Sequence, residues 1–100
     1  MSIAVIGGIK RLETHYRREA SKRGINLVIF NVASRDMDQK LRRMDAVILF
    51  TGQVSHNART EVIRAARRHQ IPLYQHHSCG ICTLRDCLDC CLDANKQIQA

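Results

Sequence analysis

The run Ala46-Val47-Ile48-Leu49-Phe50 constrains this chain more than any other stretch. It is continuously apolar and short, as expected of a strand rather than a helix. A strand without polar alternation has to be covered on both faces, the condition of a parallel sheet flanked by helices. Asp45 opens the run and Thr51-Gly52 closes it. Three other β-type runs fit around it: Ser2 to Ile6 before Gly7-Gly8, Asn26 to Val32, and Pro72-Leu73-Tyr74-Gln75.

The segments between these runs have helical periodicity. Ile9, Leu12, Tyr16 and Ala20 form one apolar stripe, and Gly24 after Lys22-Arg23 is placed as a helix C-terminal cap. A short polar helix is predicted from Asp36 to Arg43. Ser55 is placed to cap a helix from His56 to His69, with Val62, Ile63, Ala65 and Ala66 inward. A last helix is expected from Thr83 to Gln97. Strands alternating with helices at this spacing imply right-handed crossovers between parallel strands. The predicted fold is α/β, a small doubly wound four-stranded parallel sheet in the order 2-1-3-4 with a C-terminal cysteine-rich helix. Residues 1–100 are expected to form a single Rossmann-like domain, because no composition break or linker divides them. A chain of this length buries roughly 60–65% of its unfolded surface, so its core needs no metal to form.

All five cysteines and two of the five histidines lie between His76 and Cys91. Thiolates and imidazoles gathered in this way point to metal or haem ligation or to a redox dithiol. In doubly wound sheets ligands sit beyond the carboxyl ends of the strands, near the point where strand order reverses. Those ends are Gly7-Gly8, Asn31, Thr51-Gly52 through His56, and His76 through Cys82.

Cys79-Gly80-Ile81-Cys82 has the spacing of a redox dithiol or of half a zinc or iron–sulfur site. At a helix N-terminus, free backbone amides and the helix dipole favour thiolates. Cys79 or Cys82 is therefore expected to alkylate first. His76 and His77 precede the pair, but adjacent residues in an extended segment face opposite ways, so one ligates while the other packs. His56, beside this loop, is a candidate supporting contact. Leu84, Cys87, Leu88, Cys91 and Leu92 fall on one helical stripe, which makes Cys87 and Cys91 core residues, with Cys90 at its edge. Cys82, Cys87 and Cys90 also reproduce a ferredoxin spacing, yet that motif belongs to a loop.

Thr83 rather than His follows Cys82, which excludes covalent c-type haem. Non-covalent haem needs His or Cys, an apolar slot and cations for its propionates, all of which this chain supplies. Gly7-Gly8 lacks the remaining dinucleotide fingerprint, and Phe30-Asn31-Val32 stands where its acid is expected, so a tight turn is the better reading.

Sixteen Lys and Arg against nine acids give a net charge of +7. The cations are spread along the chain and only four aromatic residues occur, which argues against a base-stacking nucleic-acid face. No signal-like or membrane-spanning run is present, so a reducing cytoplasm is expected, where five clustered cysteines mean metal or catalysis rather than disulfides. Two open sheet edges and the stripe Leu84, Leu88, Cys91, Leu92 and Ile98 lead us to expect a homodimer.

Three loops carry a resemblance: Ala4-Val5-Ile6-Gly7-Gly8, Asp45-Ala46-Val47-Ile48 with Thr51-Gly52-Gln53-Val54-Ser55-His56, and His77-Ser78-Cys79-Gly80. They resemble a bacterial family of small Rossmann-like proteins catalogued as a domain of unknown function, over most of the chain. The resemblance implies the fold, a site built from these loops and an association with haem; it implies no reaction. The expected function is a module that binds an iron centre, b-type haem first, for redox or sensing. Cys79, Cys82, His76 and His77 are its candidate ligands, and Gly7, Gly8, Thr51, Gly52 and His56 line the cofactor. A thiol switch or reductase using Cys79 and Cys82, and a zinc or iron–sulfur site, are the alternatives.

Overall fold

The computed structural model describes residues 1–30, 37–78 and 80–99, without the side chains of Met37, Gln53 and residues 94–99. Its elements run β1 (Ser2–Ile6), a 3-10 turn (Lys10–Leu12), α1 (Glu13–Lys22), β2 (Asn26–Phe30), α2 (Met37–Leu41), β3 (Ala46–Phe50), a second 3-10 turn (Thr51–Gln53), α3 (His56–Arg68), β4 (Leu73–His76) and α4 (Ile81–Gln99). All strand pairs are parallel, and the sheet order is β2-β1-β3-β4. This is the doubly wound α/β arrangement expected from the sequence.

The period-two geometry of a strand divides the core into two halves. Ile3, Val5, Ala46, Ile48 and Phe50 join Tyr16 and Ala20 of α1 and Leu84, Cys87, Leu88 and Cys91 of α4 on one face. Ala4, Ile6, Val47 and Leu49 join Leu41 of α2 and Val62 and Ala65 of α3 on the other. Every residue of β3 is buried, which is why its sequence shows no polar alternation.

Local chemistry sets the helix ends. Ser55 Oγ accepts the amide of Ala58 at 3.2 Å and caps α3. Gly24, at φ +67°, ends α1: its N–H donates to Ser21 O and that of Ile25 to Ala20 O, the paired bonds of a Schellman cap. Gln70, at φ +55°, closes α3 in the same way: its N–H donates to Arg67 O and that of Ile71 to Ala66 O. The sequence gives no glycine to mark that end.

α4 is tied to α1 by charge as well as by apolar contact. Arg23 Nε lies 2.7 Å from Asp89 Oδ1, and its Nη1 lies 3.0 Å from Glu19 Oε2. Arg85 reaches the same Glu19 carboxylate at 3.5 Å. The hydrogen bond from Arg23 holds Glu19 below its usual carboxylate range against the opposing effect of desolvation. Arg23 lowers Asp89 in the same way.

The start and the use of α4 differ from the sequence reading. α4 begins at Ile81 rather than Thr83, because Leu84 N–H already donates to Gly80 O at 3.1 Å. Leu84, Leu88 and Cys91, expected to serve a partner helix, are buried against this chain's own sheet. These three residues of the expected dimer stripe are thus used within the chain, Leu92 is partly buried, and the Ile98 side chain lies outside the described residues. Asn31, Val32 and Asp36, in the expected second strand and second helix, lie outside the described residues.

Candidate functional site at the carboxyl edge of the sheet

β1, β3 and β4 deliver the candidate residues to one edge, where their loops touch. Gly7 leaves β1 at φ +82°, a conformation that favours glycine, and donates its N–H to Phe30 O at 3.3 Å. A Cβ at Gly7 would stand 2.5 Å from Val54 Cγ1 and 2.7 Å from Phe50 O, so the loop after β3 lies directly on the turn after β1. The glycines therefore serve a tight turn and close packing. Gly8 meets the Tyr16 ring, whose hydroxyl accepts the amide of Ile9 at 3.3 Å.

The β3 and β4 loops meet at Gly52. A Cβ there would come within 2.7 Å of the His77 carbonyl oxygen and 3.4 Å of its Nδ1. Thr51 and Gly52 belong to a 3-10 turn that the sequence reading had not separated from the strand end. In the sheet, Phe50 is paired with His76 and Ile48 with Tyr74. Alternation then puts Tyr74 and His76 on the face that α4 covers.

His76 is half-buried, while His77, Ser78 and Cys82 are exposed. Ser78 Oγ accepts the amide of Gly80 at 3.4 Å, and the Gly80 carbonyl starts the helix. Cys82 is thus the second residue of α4, at the free-amide end of the helix. His56 is exposed in the first turn of α3, where its carbonyl accepts the Thr60 hydroxyl at 3.0 Å. Cys79, the first candidate ligand, lies outside the described residues. Among the described residues, no group of three or more His, Cys, Asp or Glu is arranged to hold a metal ion.

Lys10 and Arg11 follow Gly8 and Ile9 in an exposed turn, adding cations near the same edge. A separate surface depression is lined by Gln39, Lys40, Arg42, Arg43 and Met44. No candidate ligand lines it.

The remaining described cysteines lie further along α4. Cys87 and Cys91 are 2% and 1% exposed, whereas Cys90 points to solvent. One continuous helix carries Cys82, Cys87 and Cys90, so the ferredoxin-like spacing is not that of a loop wrapped around a cluster. The hydrogen bond Cys87 makes to Cys91, together with burial, pushes the Cys87 thiol far above its usual range. Donation from Cys87, and to a lesser degree from Tyr74, lowers Cys91 against the effect of burial. Burial raises the Tyr74 phenol, with the neighbouring thiols adding to the shift. The sequence reading missed the Tyr74 contact, because its only local sign was alternation within a four-residue strand.

No helix among the described residues is long and apolar enough to cross a membrane. No curated protein and no solved structure matches the chain. Residues 2–91 match the family described as "Uncharacterized protein conserved in bacteria (DUF2325)", and with nearly its whole length inside that match the chain belongs to this family.

Proposed function

We propose that this protein is a small haem-binding module in which the His/Cys loop after β4 holds the iron, for redox or sensing in a reducing cytoplasm. One observation carries the reading: the glycine contacts join the turn after β1, the 3-10 turn after β3 and the His77 backbone into one edge. His77 and Cys82 are exposed there, and His76 is half-buried on the α4 side. Imidazole and thiolate both serve as protein ligands of haem iron. Haem, when bound, supplies the redox couple or the open coordination position for a small molecule. The chain's own part is to present His76, His77, Cys79 and Cys82 as ligands and to close the edge with Gly7, Gly8, Thr51 and Gly52. Lys10 and Arg11 are suited to meet the propionates, and His56 to support the loop from α3.

The exposure of Cys82 in the first turn of α4 favours a second reading, a thiol switch formed with Cys79. A zinc or iron–sulfur site on the same loop would also require Cys79. The homodimer, without the helix stripe that first suggested it, is proposed at an open sheet edge.

The test is the absorption spectrum and metal content of anaerobically purified protein. A Soret band with iron at up to one per chain supports the haem reading. A broad visible shoulder with inorganic sulfide, zinc in colourless protein, or protein that neither contains metal nor develops a Soret band with added haemin would each reject it.

A further inference from the structure

Cations that are spread along the sequence are gathered by the fold on the side of the sheet covered by α2 and α3. The apolar stripe of α3, Val62, Ala65 and Ala66, is buried. At about 3.6 residues per turn, Arg64, Arg67 and Arg68 fall on the opposite, exposed side of that helix. Asp38 Oδ1 lies 3.5 Å from Arg68 Nη1, and its Oδ2 lies 3.2 Å from His69 Nε2, which sets α2 beside the end of α3. From there Lys40, Arg42 and Arg43, all exposed, line the surface depression.

The two faces of the sheet use charge differently. On the α1–α4 side, the carboxylates of Glu19 and Asp89 take up Lys22, Arg23 and Arg85. On the α2–α3 side, Asp38 and Glu61 are the acids of the two helices, and Asp38 is already engaged. Among the described residues, no ion pair holds Arg42, Arg43, Arg64 or Arg67. Every exposed side chain described in α2 and α3 is polar, and neither helix contains Phe, Tyr or Trp. That composition limits the occupant. A protein partner needs an apolar or aromatic centre to its interface. A membrane contact needs an apolar helix face to insert, and this one is spent on the sheet. A single strand needs rings on which its bases can stack. A duplex backbone needs none of these, because its phosphates are held by charge and by the forked donors of arginine.

We propose that the face formed by α2 and α3 binds the phosphate backbone of double-stranded nucleic acid without reading its sequence. Arg42 and Arg43 at the depression, with Arg64 and Arg67 along α3, are the phosphate contacts. A duplex carries one negative charge about every 1.7 Å of its length, so cations on two packed helices meet several phosphates at once. Each contact releases condensed counterions, and that release supplies the affinity. None of these residues belongs to the loop site, so the surface acts whether or not that loop holds haem.

The test is fluorescence anisotropy of a short labelled DNA duplex titrated with the reduced full-length protein between about 50 and 200 mM salt. The expected result is a Kd of about 1–100 µM at physiological salt, with log Kd rising against log salt at a slope of about 3.6 for four contacts. A second duplex of unrelated sequence should bind equally. Arg42→Gln combined with Arg43→Gln and Arg67→Gln should weaken binding at least about 10-fold and lower the slope by about three. Arg17→Gln combined with Arg18→Gln and Lys22→Gln removes the same charge from α1 and should stay within about three-fold of the parent, because salt screens charges on the far side of the sheet. Circular dichroism checks that both variants fold; should the first not fold, Arg67→Gln alone decides, and an unchanged slope rejects the surface. Equal losses in the two triple variants would overturn the proposal in favour of net charge alone. So would failure to bind at the lowest salt, tighter binding of a single strand, or preference for phosphatidylglycerol vesicles over the duplex.

Discussion

The first turn and the middle of α4 hold the same kind of residue in opposite surroundings. Cys82, in the first turn, is exposed beside the loop that closes the sheet's carboxyl edge. Cys87 and Cys91, further along, are sealed among Leu84, Leu88 and Phe50. A thiol at the first position is accessible to ligands and reagents and makes little packing contact. A thiol at the second position supports the fold and is reached only by what can enter the core. The cysteine-rich stretch is therefore two regions with separate roles rather than one cluster.

The largest effect should come from the buried region. Leu88 is fully buried between α4 and the sheet, so Leu88→Ala should cost about 2–5 kcal/mol of stability. Cys82→Ala should stay within about 0.5 kcal/mol of the parent. Urea unfolding of both variants measures the contrast, and equal losses would mean that the first turn of α4 is as firmly packed as its middle.

A smaller effect is expected where the loops meet. Gly52→Ala places a Cβ against the His77 carbonyl, a backbone atom that cannot rotate away. The loop must shift, at about 1–3 kcal/mol. Ser78→Ala, which removes only the exposed contact to the Gly80 amide, should cost less in the same unfolding measurement. If Gly52→Ala is neutral, the two loops do not touch and the edge is more open than described.

Acid should loosen α4 through its link to α1. Folded Glu19 and Asp89 ionise below their ordinary values of 4.5 and 3.8 because Arg23 donates to both. Their contribution is present above the unfolded values and is lost as pH falls through the lowered folded ones. Arg23→Gln should therefore flatten the decline in melting temperature below about pH 4.5 while changing little of the metal-free loop's reactivity. An unchanged acid limb would show that other carboxylates control it.

Most of this architecture was legible because it is written in local periodicity. The all-apolar run of β3 required cover on both faces, and the gaps between runs fitted single helices, which left few topologies. Gly24 and Ser55 marked helix ends through chemistry that acts within a few residues. The end of α3 was harder, since Gln70 takes the left-handed conformation without being glycine. The start of α4 was misplaced by two residues, because the Gly80 carbonyl and the Ser78 hydroxyl determine it. The stripe on α4 could be read as amphipathic, but a stripe does not name the surface that covers it. The pairing of Ile48 with Tyr74, which brings a phenol to Cys91, depends on contacts distant in sequence. Candidate ligands were recognisable by residue type and position at a strand end, whereas the contact of Gly52 with His77 was not.

The central claim is that the iron site belongs to the sheet edge and not to the body of α4. Its most direct test is the Soret spectrum and haem stoichiometry of Cys79→Ala beside Cys87→Ala and Cys90→Ala, each compared with the parent protein. The account predicts that Cys79→Ala loses haem or shifts its band strongly, while the other two keep the parent's spectrum and occupancy. An unchanged spectrum at full occupancy in Cys79→Ala, with haem lost from Cys87→Ala or Cys90→Ala, would place the ligands along the helix and contradict it.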